Sequence, residues 1–293
     1  MNKLAITLLA LGAIAANAAA VVVDGTAEAA YGSALFTQQN TTQFGDNNDN
    51  SFNTANGSEI DQAFGLNDGT NFAFTVAGNL ESNFNKYVVF LDSKAGGFNT
   101  IAGDNASGDD FGWLNGNAAG LTFDTGFGAD YAIWIRHDGT NSFLTFAELG
   151  SAGSDLETGS FATGSLYSGS LVSMRLNNSN VGGVVGGSGN QSSPDGSGVT
   201  TGWEFQMALA TIGASAGSDI KVAGFVNSGG NFMSNQVIGG LPLGTGNLAT
   251  TGSVNFSQLA GDQYVTVQGV PEPASMIALG AGLLALARRR RSK

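Results

Sequence analysis

The sequence predicts an all-β chain: an antiparallel two-layer β-sandwich, jelly-roll-like, flanked by an N-terminal signal peptide and a C-terminal apolar helix. Three observations predict it. Glycine supplies 45 of 293 residues, about twice the average usage. Asn, Ser and Thr are also abundant and charged residues are 12%, a composition that disfavours helix interiors. Short apolar runs alternate with small or polar residues and are separated by turn residues, which is the strand signature. Finally, setting aside residues 1–20 and 270–293 leaves an ectodomain of residues 21–269, a size that one sandwich fills.

Taken in order, Met1 to Ala20 has a basic start at Lys3, an apolar stretch from Leu4 to Ala15, and an Ala16-Asn17-Ala18 cleavage site. That is the anatomy of a secretory signal. A second cleavage frame is Ala18-Ala19-Ala20. Val21 to Leu35 reads as an edge strand and turn, and Phe36 to Asn56 as a polar, Asn-rich loop. Within it Asp46, Asn48 and Asn50 sit at the first, third and fifth positions of a calcium-loop template. The template then demands Gly and, later, Glu; Ser51 and Gly57 stand there instead, so the match fails.

The β pattern begins at Glu59. Ile60, Gln62 and Phe64 alternate with Asp61, Ala63 and Gly65, and Phe72, Phe74 and Val76 alternate with smaller residues. Asn67-Asp68-Gly69 between them carries a strong hairpin signal, so residues 59–76 read as a hairpin. Tyr87 to Leu91 is continuously apolar, as a central strand covered on both faces would be. Asn99 to Gly120 is a long Gly/Asn/Asp loop, of a length that usually means binding or disorder. Tyr131, Ile133 and Ile135 alternate with Trp134 in the next strand, and His137 opens a turn into Phe143 to Phe146. Further strands are expected near Phe161, over Leu171 to Leu176, over Trp203 to Leu209, over Ile220 to Val226, at Val254 to Phe256 and over Tyr264 to Val267. The total is roughly eleven strands, by the period-two pattern. Ala210 to Gly213 reads as a short helical turn.

The formal charge of −12 hides an asymmetry. Residues 21–269 contain five basic and 22 acidic residues, a net charge of −17. Such a surface repels nucleic acid and anionic lipid. Cysteine is absent, which excludes disulfides and thiolate chemistry. His137 is the sole histidine, so a multi-histidine metal site is excluded, and its turn context reads as a solvated loop. No G-x-S-x-G elbow is present. Paired-carboxylate hydrolysis needs two carboxylates about 5–10 Å apart; Glu59 with Asp61, and Glu204, are the tidy candidates. Candidate calcium ligands are Asp92, Asp104, Asp109 and Asp110, which flank one long loop and supply the oxygens hard cations prefer. Candidate glycan contacts are Trp113, in a loop, and Trp134, opposite the core face of its strand; Trp203 reads as core. No catalytic constellation stands out, and the expectation is a non-enzymatic protein.

The last residues form a three-part tail. Val270-Pro271-Glu272-Pro273 is rigid and extended, because proline fixes φ and lacks an N–H. Ala274 to Ala287 is apolar, and Arg288, Arg289, Arg290 and Arg291 follow, with Lys293 behind. The apolar run has 14 residues, about 21 Å as a helix at about 1.5 Å per residue. A bilayer core of about 30 Å makes that a marginal span. The arginines orient it with the basic end in the cytoplasm. This three-part tail resembles the PEP-CTERM sorting signal of exported bacterial proteins. The resemblance implies recognition by an exosortase-type transpeptidase in the inner membrane, through Pro271, Glu272, Pro273 and Arg288 to Arg291. It further implies cleavage near the motif and transfer to the cell surface or an exopolysaccharide-containing matrix.

Two further resemblances concern the ectodomain. Thr42 to Asp46, Glu59 to Asp61, Ala77 to Lys86, Phe90 to Ser93 and Gly96 to Thr100 are similar to a block found in exported PEP-CTERM proteins of uncharacterised role. Gly202-Trp203-Glu204, followed by Leu209 and Gly213, resembles a late segment of carbohydrate-binding family 9-like and DOMON-like β-sandwiches. The expected function is that of an exported, surface-sorted protein of the envelope or matrix. The alternatives are a carbohydrate-binding module, calcium-dependent or not, and an exported hydrolase.

Overall fold

The Asn-Asp-Gly turn closes the hairpin that begins the first sheet. The Asp68 carboxylate accepts from the N–H groups of Thr70 and Asn71, and Gly69 takes φ 91°, which a side chain would resist. In the computed structural model, which describes residues 21–44, 57–106, 112–184 and 195–270, the hairpin is β2 (Glu59–Asn67) and β3 (Asn71–Asn79). With β1 (Phe36–Thr37), β8 (Tyr167–Ser168), β9 (Val172–Leu176) and β10 (Gly202–Ala208) it forms a sheet in the order β1-β2-β3-β10-β9-β8. The second sheet runs β12-β11-β4-β5-β6-β7. Its members are β4 (Lys86–Asp92), β5 (Tyr131–His137), β6 (Asn141–Glu148), β7 (Asp155–Ala162), β11 (Ile220–Asn227) and β12 (Met233–Val237). The short β13 (Val265–Val267) pairs with the start of β11. Every ladder between named strands is antiparallel. The two sheets face each other, as the alternating pattern requires.

Between the sheets lies the main core. Phe72, Phe74 and Val76 of β3 and Trp203, Phe205 and Met207 of β10 meet Tyr87, Val89 and Leu91 of β4 and Tyr131, Ile133 and Ile135 of β5. Tyr87 stacks on Trp203 across the gap, with ring centroids 6.3 Å apart. The alternation read along β2 is corrected by a bulge. The register shifts between Ile60 and Gln62, so Ile60 and Ala63 face the core while Phe64 turns to the outer face. A bulge inserts one residue and reverses every side chain after it.

Sheet two is apolar on both faces. Val88, Phe90, Ala132, Trp134 and Phe225 point away from the main core into a second one. Its outer wall comes from the loops after β4 and after β12, with Trp113, Leu121, Phe123 and Phe256. The long Gly/Asn/Asp loop from Asn99 to Gly120 thus packs as a cover along its described residues. Trp113 stands at the start of a short helix, α1 (Trp113–Gly116), and Phe123 packs on Phe90 at 5.0 Å. In place of the strand expected at 254–256 the chain passes between two 3-10 turns, Thr251–Ser253 and Phe256–Gln258, and carries Phe256 into this layer. Sheet one has a thinner outer cover of Ala27, Tyr31 and Val199. Where a strand is expected within 21–35 the chain is coil with one 3-10 turn, Ala29–Tyr31, joined to Thr201 at Thr26 by a single bridge, and the edge strand forms instead at Phe36–Thr37, where a loop is expected. One lateral opening is closed by Glu157 of β7, whose carboxylate accepts from Tyr167 and from the N–H groups of Ser170, Leu171 and Val172.

The signal segment, the Asp46–Asn50 motif and residues 271–293 lie outside the described residues. Among the described residues no helix is long and apolar enough to cross a membrane.

Candidate functional site

Antiparallel pairing gives the sandwich two distinct ends. One gathers the start of β4, the end of β5 and the end of β11, because Lys86 pairs with both Arg136 and Asn227. The other gathers the β2–β3 turn, the end of β4 and the start of β11. An eight-residue strand such as β11 separates them by about 25 Å.

The first end is rich in buried polar groups. His137, expected in a solvated turn, is fully buried as the last residue of β5. Its Nε2 lies 2.6 Å from the carbonyl of Leu80, and Asn178 donates to the same carbonyl at 2.7 Å. Burial lowers the imidazole pKa below its ordinary value, against the opposing pull of the Leu80 carbonyl. The ring thus closes the β3–β4 connection. Beside it the Nδ2 of Asn180 donates to Asp61, at 3.1 Å, and to Asn79, at 2.9 Å, with Glu59 3.5 Å away. Tyr87 donates to the backbone carbonyl of Glu59 at 2.6 Å. The structure therefore brings Glu59 and Asp61 together, but buried and facing an asparagine amide.

Glu204 lies apart from them, on the outer face of β10. It accepts from Tyr31 at 2.7 Å and from the N–H groups of Asp24 and Gly25, both at 2.8 Å. Desolvation raises its pKa above the ordinary value, and these hydrogen bonds oppose the rise. Its work is to hold the N-terminal segment across sheet one.

Trp134 is on the face opposite the main core, as its alternation predicts. Its ring and that of Trp113 pack together at 5.3 Å, and both are buried. The Nε1 of Trp113 donates to Asn227. Neither indole offers an open face to a sugar. An exposed ring at this end belongs to Phe84, 39% accessible, which pattern reading did not single out because it sits outside the strands. Phe84, Lys86, Trp113, Asn117, Arg136, Gly229 and Asn231 line a hollow of about 360 Å3.

Two of the four calcium candidates, Asp92 and Asp104, fall among the described residues. Asp92 accepts from the N–H of Gly128 and lies 3.6 Å from the ammonium of Lys221. Asp104 is exposed, and Asp109 and Asp110 lie outside the described residues. Among the described residues no three potential metal-binding side chains cluster.

The opposite end carries the exit of the chain. After β13, the N–H of Gly269 donates to Asp219 and that of Val270 to the carbonyl of Ala216. Asn67, at the hairpin turn, clasps the same loop through the carbonyls of Ala216 and Ser218. Residues 269–291 match the PEP-CTERM protein-sorting motif, so the motif leaves from this end. The match marks an exported protein sorted to the cell envelope and implies processing by an exosortase-type enzyme. No curated protein matches the chain. No solved structure matches it either.

Proposed function

We propose that this chain is an exported, surface-sorted β-sandwich that serves without catalysis in the cell envelope or its polysaccharide matrix. The observation that carries the reading is the sorting motif at 269–291 following directly on the last strand of the sandwich. The exit is held by hydrogen bonds to the Asp219 carboxylate and the Ala216 carbonyl, so the tail emerges from a fixed point. In this reading the apolar run from Ala274 to Ala287 dwells in the inner membrane with its arginines in the cytoplasm. An exosortase-type enzyme cuts near Pro271-Glu272-Pro273, and the ectodomain passes to the surface.

The placement of the reactive side chains supports the non-catalytic part. His137 and Glu204 are buried, and their hydrogen bonds fasten segments of backbone. A general acid or base must instead reach a substrate proton. The test is intact-mass spectrometry of the chain recovered from the cell surface. The expected C-terminus lies within 270–273. An intact arginine tail on the surface form would overturn processing, and retention in the inner membrane would overturn sorting.

A further inference from the structure

Only two non-glycine residues among those described have a left-handed backbone, Phe84 at φ 66° and Asn231 at φ 69°. They lie far apart in sequence, yet both line the hollow at the end of the sandwich remote from the tail. Asparagine tolerates this conformation, whereas for a bulky ring it is a true outlier. Such strain persists only where surrounding contacts over-determine it, and it concentrates at binding sites. The contacts are visible. The N–H of Phe84 donates to the carbonyl of His137 at 3.1 Å, and Asn85 accepts from Gly229 across the hollow's rim. The guanidinium of Arg136 lies 5.0 Å from the Phe84 ring and 4.9 Å from that of Phe143. The phenyl ring is thus braced from within while part of it stays accessible. Phe232, next to Asn231 in the chain, is 42% exposed.

The polar lining sets the side-chain amides of Asn117 and Asn231 beside two cations, Lys86 and Arg136. The side-chain amides of Asn117 and Asn231 make no hydrogen bond to any described residue, although each residue's backbone N–H is bonded. An amide offers both donors and an acceptor, as a hydroxyl group does. Among the described residues no carboxylate lines the hollow, in a domain that carries 22 of them. Its volume is near the lower end of small-molecule sites, roughly 300–1,000 Å3. Apolar ring surface beside planar amides suits a molecule with a C–H face and a rim of hydroxyls. The domain's net charge of −17 disfavours a polyanion approaching from solution.

We propose that this hollow binds one ring of a neutral saccharide, stacked on Phe84 and hydrogen-bonded by Asn117 and Asn231. In the surface-display reading above, on which this orientation rests, the site faces away from the point of attachment. The tethered sandwich would then present it to the surrounding polysaccharide. Saccharide binding itself does not depend on sorting, so a failure of either can be told from a failure of the other.

The experiment is a calorimetric titration of the full chain with neutral trisaccharides of glucose, galactose, mannose and N-acetylglucosamine, beside trigalacturonate. Saturable binding of at least one neutral trisaccharide, tighter than the uronate, is expected. Asn231→Gly should weaken it about tenfold or more with the circular dichroism unchanged, since glycine accepts the same backbone angles. Phe84→Gly removes the ring and the strain together, so it should abolish binding. Should Phe84→Gly fail to fold, Asn231→Gly and Asn117→Ala still decide. The proposal falls if none of the four neutral sugars saturates, if the uronate binds best, or if the folded variants bind as tightly as the parent.

Discussion

The two sheets of the sandwich share one core but differ in what covers their backs. Sheet two carries a second apolar layer, in which Trp134, Phe90 and Phe225 meet Trp113, Phe123 and Phe256. Sheet one is overlaid by a thin N-terminal segment, held by backbone hydrogen bonds at Gly25 and Ala27 and by one buried carboxylate, Glu204. One cover adheres by area, which is diffuse and tolerant. The other adheres by a few directed bonds, each of which is costly to break because its partners are left buried. Removal of one residue should therefore act differently on the two backs.

The largest effect is expected from Trp134→Ala. It empties the centre of the second layer, and truncation of a buried large side chain costs about 3–5 kcal/mol. Denaturant unfolding should show the loss as one cooperative transition, since the layer shares sheet two with the main core. A separate early transition, confined to residues 98–130, would break the comparison.

Glu204→Gln comes next. The amide cannot accept equally well from Asp24, Gly25 and Tyr31, and a loss of about 1–3 kcal/mol is expected. Hydrogen exchange should quicken along 24–31 and little elsewhere. Uniform quickening across both sheets would show that this cover is part of the global unit.

The pH dependence sharpens the contrast further. Glu204 has a folded pKa raised above its ordinary 4.5, so the folded chain takes up this proton first. Stability from this group therefore grows as pH falls through the raised value, and is lost as pH rises through it. Glutamine does not titrate, so the gap between parent and Glu204→Gln should widen on acidification. His137 acts oppositely. Its folded pKa lies below 6.5, the unfolded chain binds the proton first, and stability is lost as pH falls below about 6.5. His137→Gln should flatten that loss in a series of melts; a parent and variant that fall in parallel would exclude the histidine as its source.

The smallest effect is expected at the rim. Lys94 and Glu148 pair at 2.6 Å, but both side chains are 36% exposed. Lys94→Met should change stability by no more than about 1 kcal/mol, and added salt should erase the difference.

Sheet two was the more legible half in sequence. Tyr87 to Leu91 lacks polar interruption because both its faces are covered, and Trp134 is placed by the alternation of Tyr131, Ile133 and Ile135. The cover itself was hidden. Phe123 and Phe256 sit among glycines and asparagines with no period, because a loop that packs by single anchors leaves no repeating signal. On sheet one the β2 reading failed after Ile60, since a bulge has no fixed residue signature. His137 was misplaced for a similar reason. A turn sequence follows it, but the Leu80 carbonyl that draws it inward is distant along the chain. The candidate hollow was least legible of all. Phe84 and Asn231 lie in connections, and their positive φ angles arise from tertiary contacts that no local pattern encodes.

The attachment point carries a mechanical consequence. β13 runs toward the tail end, with Val265 opposite Val222 and Val267 opposite Ile220. Tension applied through the residues after Val270, along the strand axis, loads the three β13–β11 pairs side by side in shear. Its rungs resist together, whereas a perpendicular pull would open them one after another. A sandwich held by this tail is strongest when drawn straight out from its anchor.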